Sequence, residues 1–312
     1  MAKPDLLLVS NLTTRVVEQL ERDFTLHRYG DADDKAAFLD ALPDGVRFVA
    51  TGAGCSREII EALPALEIIA SFGVGYDAVD VAAAKERDVR VTNTPDVLNE
   101  CVAEVTLGLM LALAHRLPEA ERHVREGRWE REGAFPLTTE LTGRTVGILG
   151  LGRIGKTVAR LAQAFRMHVV YHGRTEQPRE PYPYYADLAA MARDADWLVV
   201  VAPSTPETRG LVDRGVLEAL GPEGRLVNVG RGDLIDEAAL IDMLSSGGIA
   251  GAALDVFAQE PHVPEALRAL DNTVLLPHVG SATRETRAAM GDLVVRNLRA
   301  HLNGEPLPTP VA

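Results

Sequence analysis

Two cysteines, Cys55 and Cys101, are all that a chain of 312 residues carries. They form no Cys-x-x-Cys pair, which excludes a disulfide framework and a thiolate metal site; no metal is expected. Both thiols read as small buried hydrophobes, and a reducing, cytoplasmic setting is expected. Basic residues are scarce: 32 Lys and Arg stand against 45 Asp and Glu, a net charge of −13. So acidic a chain has no bulk attraction for nucleic acid or for an anionic membrane surface, and neither is expected as a partner. An anionic small substrate is not excluded, because one local Arg or His overrides the net field. Long apolar runs are also missing. The stretch from Val105 to Ala114 is too short to span a bilayer. Leu6 to Val9 reads as a strand, not as the core of a signal peptide. Neither an internal repeat nor a low-complexity tract is evident.

What is present is an ordinary globular composition, 46% hydrophobic, over a length that suits two cores. Strand-like runs cover Asp5–Ser10, Arg47–Thr51, Leu66–Ser71 and Arg90–Asn93, with helical segments at Thr13–Asp23 and Ile59–Leu63 between them. A long apolar helix is expected from Asn99 to Ala114, then an exposed arm from Pro118 to Glu132. Further strands are expected at Thr145–Leu149, Met167–Tyr171, Trp197–Val201, Arg225–Val229, Gly251–Leu254 and Thr273–Leu276, and a last helix at Arg284–Leu302. Alternation of this kind predicts α/β architecture with parallel sheets covered by helices.

The segment Gly150-Leu151-Gly152-Arg153-Ile154-Gly155 fits G-x-G-x-x-G, with a buried strand before it and a helix after it. Gly150 permits the tight turn, Gly152 lets backbone approach a pyrophosphate, and Gly155 lets the helix pack on the strand. The helix N-terminus then offers free N–H groups and a positive dipole end to the phosphates. An NAD site would place a carboxylate about 20 residues further on, at the ribose hydroxyls. Here that position reads Tyr171-His172-Gly173-Arg174-Thr175. Arg174 and Thr175 suit a 2′-phosphate, so the residues favour NADP(H) and leave NAD(H) open.

Three later segments carry reactive groups. In Asn228-Val229-Gly230-Arg231-Gly232, an Arg between two glycines follows a strand, where its planar fork can hold a carboxylate at two points. The second is Asp255-Val256-Phe257-Ala258-Gln259-Glu260-Pro261. The third is Leu276-Pro277-His278-Val279-Gly280-Ser281, in which His278 follows a buried strand. Reduction of a keto acid needs a proton donor at the carbonyl oxygen while hydride reaches the carbon. A histidine beside a carboxylate suits that task, and Glu260 is its natural partner.

Taken in order, these four motifs resemble those of the D-isomer-specific 2-hydroxyacid dehydrogenases, most of all the NADPH-using glyoxylate and hydroxypyruvate reductases. The resemblance covers nearly the whole chain. It implies two doubly wound parallel-sheet domains, a Rossmann-type cofactor domain (99–284) inserted in a flavodoxin-like substrate domain (1–98 and 285–312). It implies Arg231, Glu260 and His278 as the catalytic set, with Arg231 and His278 also touching substrate. The backbone of Val74 and Gly75 would receive the substrate carboxylate. Asp255 would anchor the nicotinamide amide, and the cofactor set would be Gly150, Gly152, Arg153, Ile154, Gly155, Arg174, Thr175, Val229, Asp255 and Gly280. A homodimer is implied, with the arm from Arg116 to Leu141 crossing to the partner. Trp129 and Phe135 would then shape the substrate pocket or simply pack the interface. Two other readings stay open: a reductase of bulkier aryl or branched 2-keto acids, and a non-catalytic protein that senses dinucleotide.

Overall fold

The computed structural model describes residues 3–311. They divide into two compact units, one running through Leu98 and resuming at Ala282, the other Asn99–Ser281.

Unit 1 holds five parallel strands: β1 (Asp5–Leu8), β2 (Thr25–Arg28), β3 (Phe48–Thr51), β4 (Ile68–Ser71) and β5 (Arg90–Thr92). Their order is β2-β1-β3-β4-β5. This is the flavodoxin-like order, whose direction reverses between β1 and β3. β3 and β4 are buried at every residue, as parallel strands covered on both faces must be. β2 has no buried residue. As an edge strand reading Thr-Leu-His-Arg it carries no apolar period to announce it. The helix Arg284–Leu302 returns to this unit and packs on β4 and on the helix Thr14–Asp23. Gly291 permits that contact, since a Cβ there would lie 2.1 Å from Val16 Cγ2.

Unit 2 holds seven: β6 (Thr145–Leu149), β7 (His168–His172), β8 (Tyr184–Tyr185), β9 (Trp197–Val200), β10 (Arg225–Asn228), β11 (Gly251–Leu254) and β12 (Thr273–Leu275). They run in the order β12-β11-β10-β9-β6-β7-β8, parallel throughout. Counted from β6, that is the dinucleotide-binding order 3-2-1-4-5-6 with one strand added at the far edge. The reversal lies between β6 and β9, the place where such sheets bind ligands beyond the strands' carboxyl ends. The two-residue β8 lies among prolines at 181 and 183 and has no apolar period to announce it.

Helix Asn99–Ala114 is apolar around most of its circumference because it is covered on several sides. It packs against β10, β11, β12 and the helix Arg153–Ala164. The arm after it is helical, in two pieces, Leu117–Arg125 and Arg128–Glu132. Pro118 sits in the first turn of the former, where its missing N–H costs nothing.

Candidate active site

Every catalytic and cofactor candidate of unit 2 lies at the carboxyl end of the seven-stranded sheet. The turn after β6 comes first. Gly150 has φ +102°, and a Cβ there would meet the Ala202 backbone at 2.8 Å. Its N–H donates to the His172 carbonyl at 2.9 Å, which ties the turn to the end of β7. Gly155 faces the Gly150 carbonyl so closely that a Cβ would sit 2.1 Å from its oxygen. Gly152 differs from both: a Cβ there would meet no heavy atom within 4 Å. It starts the twelve-residue helix Arg153–Ala164, and no side chain caps that end. Open space at Gly152, ahead of a helix N-terminus that no side chain caps, fits a pyrophosphate.

The end of β7 turns into exposed Arg174 and Thr175. Three bonds hold the turn. Tyr184 Oη donates to the Gly173 carbonyl (3.2 Å), the Gln177 N–H donates to Tyr171 Oη (2.6 Å), and Gln177 Nε2 donates to the Leu151 carbonyl (2.8 Å). Gln177 thus ties the segment carrying Arg174 to the glycine turn. Its place among prolines gave no hint of this.

Asn228, buried at the end of β10, builds the bend that presents Arg231. Its Oδ1 accepts the Gly230 N–H at 3.0 Å and its Nδ2 donates to the Arg231 carbonyl at 2.8 Å. Arg231 Nη1 donates to the Gly230 carbonyl at 2.8 Å. A Cβ on Gly232 would fall 1.9 Å from the Phe257 carbonyl carbon, so the Arg231 loop lies directly on the loop after β11. Val229, buried beside them, donates its N–H to the Val200 carbonyl at 3.1 Å.

Asp255, 1% exposed, follows β11 and governs the loop after β12. Oδ1 accepts the Val279 N–H and Oδ2 the Gly280 N–H, both at 2.7 Å. A Cβ on Gly280 would lie 2.9 Å from Oδ2. Burial pushes the Asp255 carboxyl up from its ordinary value, and the two amide bonds pull against that rise. His278 takes φ +52°, a left-handed conformation that is costly for a residue bearing a side chain. Glu260 Oε2 lies 2.7 Å from His278 Nδ1, and Glu260 Oε1 accepts the Phe257 N–H at 3.1 Å. An ionised carboxylate only accepts, so Nδ1 carries the hydrogen and Nε2 is the nitrogen left for proton exchange.

In unit 1 the loop Phe72–Asp77 follows β4. Among the described residues, the N–H groups of Val74 and Gly75 donate to no backbone carbonyl.

Residues 107–280 match the family model for the NAD-binding domain of the D-isomer specific 2-hydroxyacid dehydrogenases. The chain belongs to this family. It is 48% identical to glyoxylate/hydroxypyruvate reductase A of Arabidopsis thaliana, over 98% of each chain. It is 47% identical to hydroxyphenylpyruvate reductase of Plectranthus scutellarioides, again over 98% of each. Among solved structures, an NADPH-dependent glyoxylate/hydroxypyruvate reductase of Sinorhizobium meliloti, in complex with NADP and malonate, superposes with TM-score 0.96 at 48% identity. That match covers 100% of this chain and 97% of the other.

As a 2-hydroxyacid dehydrogenase the chain is an enzyme that binds a nicotinamide dinucleotide and reduces 2-keto acids. Within unit 2, the structure brings Glu260, His278, Asp255 and Gly280 into one bonded cluster. Asn228 and Gln177 are the residues whose part the sequence did not reveal. Asn228 stood inside a motif already noted, but a buried amide satisfying two backbone groups leaves no mark in a linear pattern.

Proposed function

We propose that this dehydrogenase reduces glyoxylate and hydroxypyruvate to their D-2-hydroxy acids, with NADPH as the favoured cofactor. The His278–Glu260 pair, fixed on a loop that Asp255 ties down, carries this reading. Gly150, Gly152 and Gly155 would hold NADPH, which when bound would supply the hydride for the keto carbon. Arg231 holds the substrate carboxylate with its planar guanidinium and polarises the keto oxygen. His278 gives the proton on Nε2 to that oxygen. Glu260 holds Nδ1, which keeps the ring oriented and stabilises the charged imidazole. In unit 1, the N–H groups of Val74 and Gly75 receive the carboxylate.

The cofactor preference rests on the end of β7, where Arg174 and Thr175 occupy the bend in place of the strand-end carboxylate that an NAD site would carry. Arg153, Ile154, Val229 and Asp255 complete the cofactor's surroundings in this reading. We also propose a homodimer formed through the arm. Val124 (57% exposed), Trp129 (64%) and Leu137 (99%) support it, since large apolar side chains left bare along one arm suit an association surface. Phe135, by contrast, lies against His123 and beneath Arg116.

The near-equal likeness to a hydroxyphenylpyruvate reductase favours one second reading, a reductase of aryl keto acids. Initial rates with glyoxylate, hydroxypyruvate and 4-hydroxyphenylpyruvate, each with NADPH and NADH, separate the two. Faster turnover of the small acids with NADPH is expected. Preference for the aryl acid or for NADH overturns the substrate or the cofactor assignment. His278→Ala is expected to cut turnover about 10²- to 10⁴-fold with NADPH affinity unchanged. Unaltered turnover removes His278 from the mechanism.

A further inference from the structure

The loop after β4 is held from the end of β5. The Thr94 N–H donates to the Gly73 carbonyl and Asn93 Nδ2 donates to the Val74 carbonyl, both at 2.9 Å. In a trans peptide the carbonyl of one residue and the N–H of the next point in opposite directions. Fixing the Gly73 and Val74 carbonyls therefore turns the N–H groups of Val74 and Gly75 the other way, both to one side. Two successive N–H groups so directed form a concavity for an anion. Donation to the Val74 carbonyl also polarises the 74–75 peptide and strengthens its N–H as a donor.

Asn93 is itself anchored from behind. Thr309 Oγ1 donates to its carbonyl at 2.7 Å. The fully buried Asn297 holds Thr309: its Oδ1 accepts the Thr309 N–H (3.2 Å), while Nδ2 donates to Thr309 Oγ1 (2.8 Å) and to the Leu293 carbonyl (2.9 Å). The Leu293 carbonyl only accepts and the Thr309 N–H only donates, so the orientation of the Asn297 amide is fixed. A polar chain, buried at Asn297 and Asn93, thus runs from the helix Arg284–Leu302 through Thr309 and Asn93 to the Val74 carbonyl. The backbone of the same segment also bridges β5, with the Asn93 N–H donating to the Thr309 carbonyl (3.4 Å) and the Val311 N–H to the Val91 carbonyl (2.8 Å), but that bridge does not use the Asn93 or Asn297 side chain.

We propose that Asn93, backed by Thr309 and Asn297, is a positioning residue that aims the Gly75 N–H at the substrate carboxylate. The proposal rests on the reading that Val74 and Gly75 receive that carboxylate. A contact made equally in ground and transition states moves KM and leaves kcat alone.

The test compares Asn93→Ala, Thr309→Val, Thr309→Ser and Gly75→Pro in the full chain, measuring kcat and KM for glyoxylate, the Kd of NADPH and Tm. Asn93→Ala is expected to raise KM at least about tenfold, with kcat and the NADPH Kd within about threefold. Thr309→Val is expected to move KM the same way by a smaller factor, and Thr309→Ser to restore it. A lowered Tm with unchanged KM in Asn93→Ala and Thr309→Val overturns the proposal. Should Asn93→Ala fail to fold, the Thr309 pair decides by the same criterion. A raised KM in Gly75→Pro with none in Asn93→Ala overturns the positioning role alone. Unchanged KM in Gly75→Pro overturns the carboxylate reading and this proposal with it.

Discussion

The Asp255 carbonyl accepts the His278 N–H at 2.9 Å, and the carboxylate of the same residue accepts the next two N–H groups along the chain. One buried aspartate therefore fixes three successive amides around a histidine in the left-handed region. Asp255→Asn keeps the shape but has a single acceptor oxygen, so its NH2 faces one of those N–H groups. A buried unsatisfied donor costs about 1–3 kcal/mol, and the loop relieves that by shifting. A shift of about 1 Å at a reacting group costs on the order of 10²-fold in rate. We expect kcat to fall by about that factor while the loop after β6 still binds the adenosine end of the cofactor. Wild-type kcat in Asp255→Asn would show that the loop keeps its form without the carboxylate.

Gly152 and Gly155 stand in one motif but answer to different demands. Gly155→Ala puts a methyl 2.1 Å from a backbone oxygen, so the helix must move off the turn. Overpacking of this kind costs about 1–3 kcal/mol or more, and a fall in Tm without any ligand present is expected. Gly152→Ala meets nothing within 4 Å and should leave Tm unchanged. Its methyl occupies the space the pyrophosphate would take, so the Kd of NADPH should rise about tenfold or more. Thermal melts and NADPH fluorescence titration of both variants check this. Tight NADPH binding by Gly152→Ala would place the phosphates elsewhere.

Much of this was legible in the sequence because it depends on local patterns. The buried runs of β6, β9, β10 and β11 announce parallel strands, and the spacing of Gly150, Gly152 and Gly155 follows from backbone contacts within a few residues. Glu260 and His278 were paired from chemistry alone, and they lie 2.7 Å apart. What stayed hidden depends on partners distant in sequence or on edges without an apolar period. β2 and β8 pair through backbone bonds that any residue makes. The helices of the arm take their form from capping turns at Arg116 and Gly127, both left-handed. The motif around Asp255 points it toward the cofactor, while its grip on the His278 loop joins residues more than twenty positions apart and leaves no local pattern.

Cys55 is walled in by its own unit. Burial, and after it the nearby Asp80, pushes the thiol up to about 12. At pH 8 about one molecule in ten thousand would then carry the reactive thiolate. Cys101 is buried as well. The folded enzyme should therefore show no fast-reacting thiol toward an aromatic disulfide reagent, and denaturation in urea should release both. A stoichiometric reaction of the native protein within minutes would contradict the packing around β3 and β4.

Glu67 gathers two partners in unit 1. Arg47 grips it through Nε and Nη2, both at 2.7 Å, and His301 Nε2 lies 2.8 Å from Oε2. The Arg47 bonds, and after them the His301 bond, outweigh partial burial and hold the Glu67 carboxyl below its ordinary value. A carboxyl lowered on folding stabilises the folded state wherever it is ionised, above the unfolded glutamate pKa of about 4.3. That contribution is lost as pH falls through the lower, folded value. Glu67 is 39% exposed, so solvent screening keeps its size to about 1 kcal/mol or less. Glu67→Gln should melt a few degrees below the wild type at pH 7. The gap should narrow steadily below about pH 4, where the wild type loses the same charge. Melts of both proteins across that range, in low salt, check the sign. A gap as wide at pH 3 as at pH 7 would mean that Glu67 acts by packing or neutral hydrogen bonds, not by its charge.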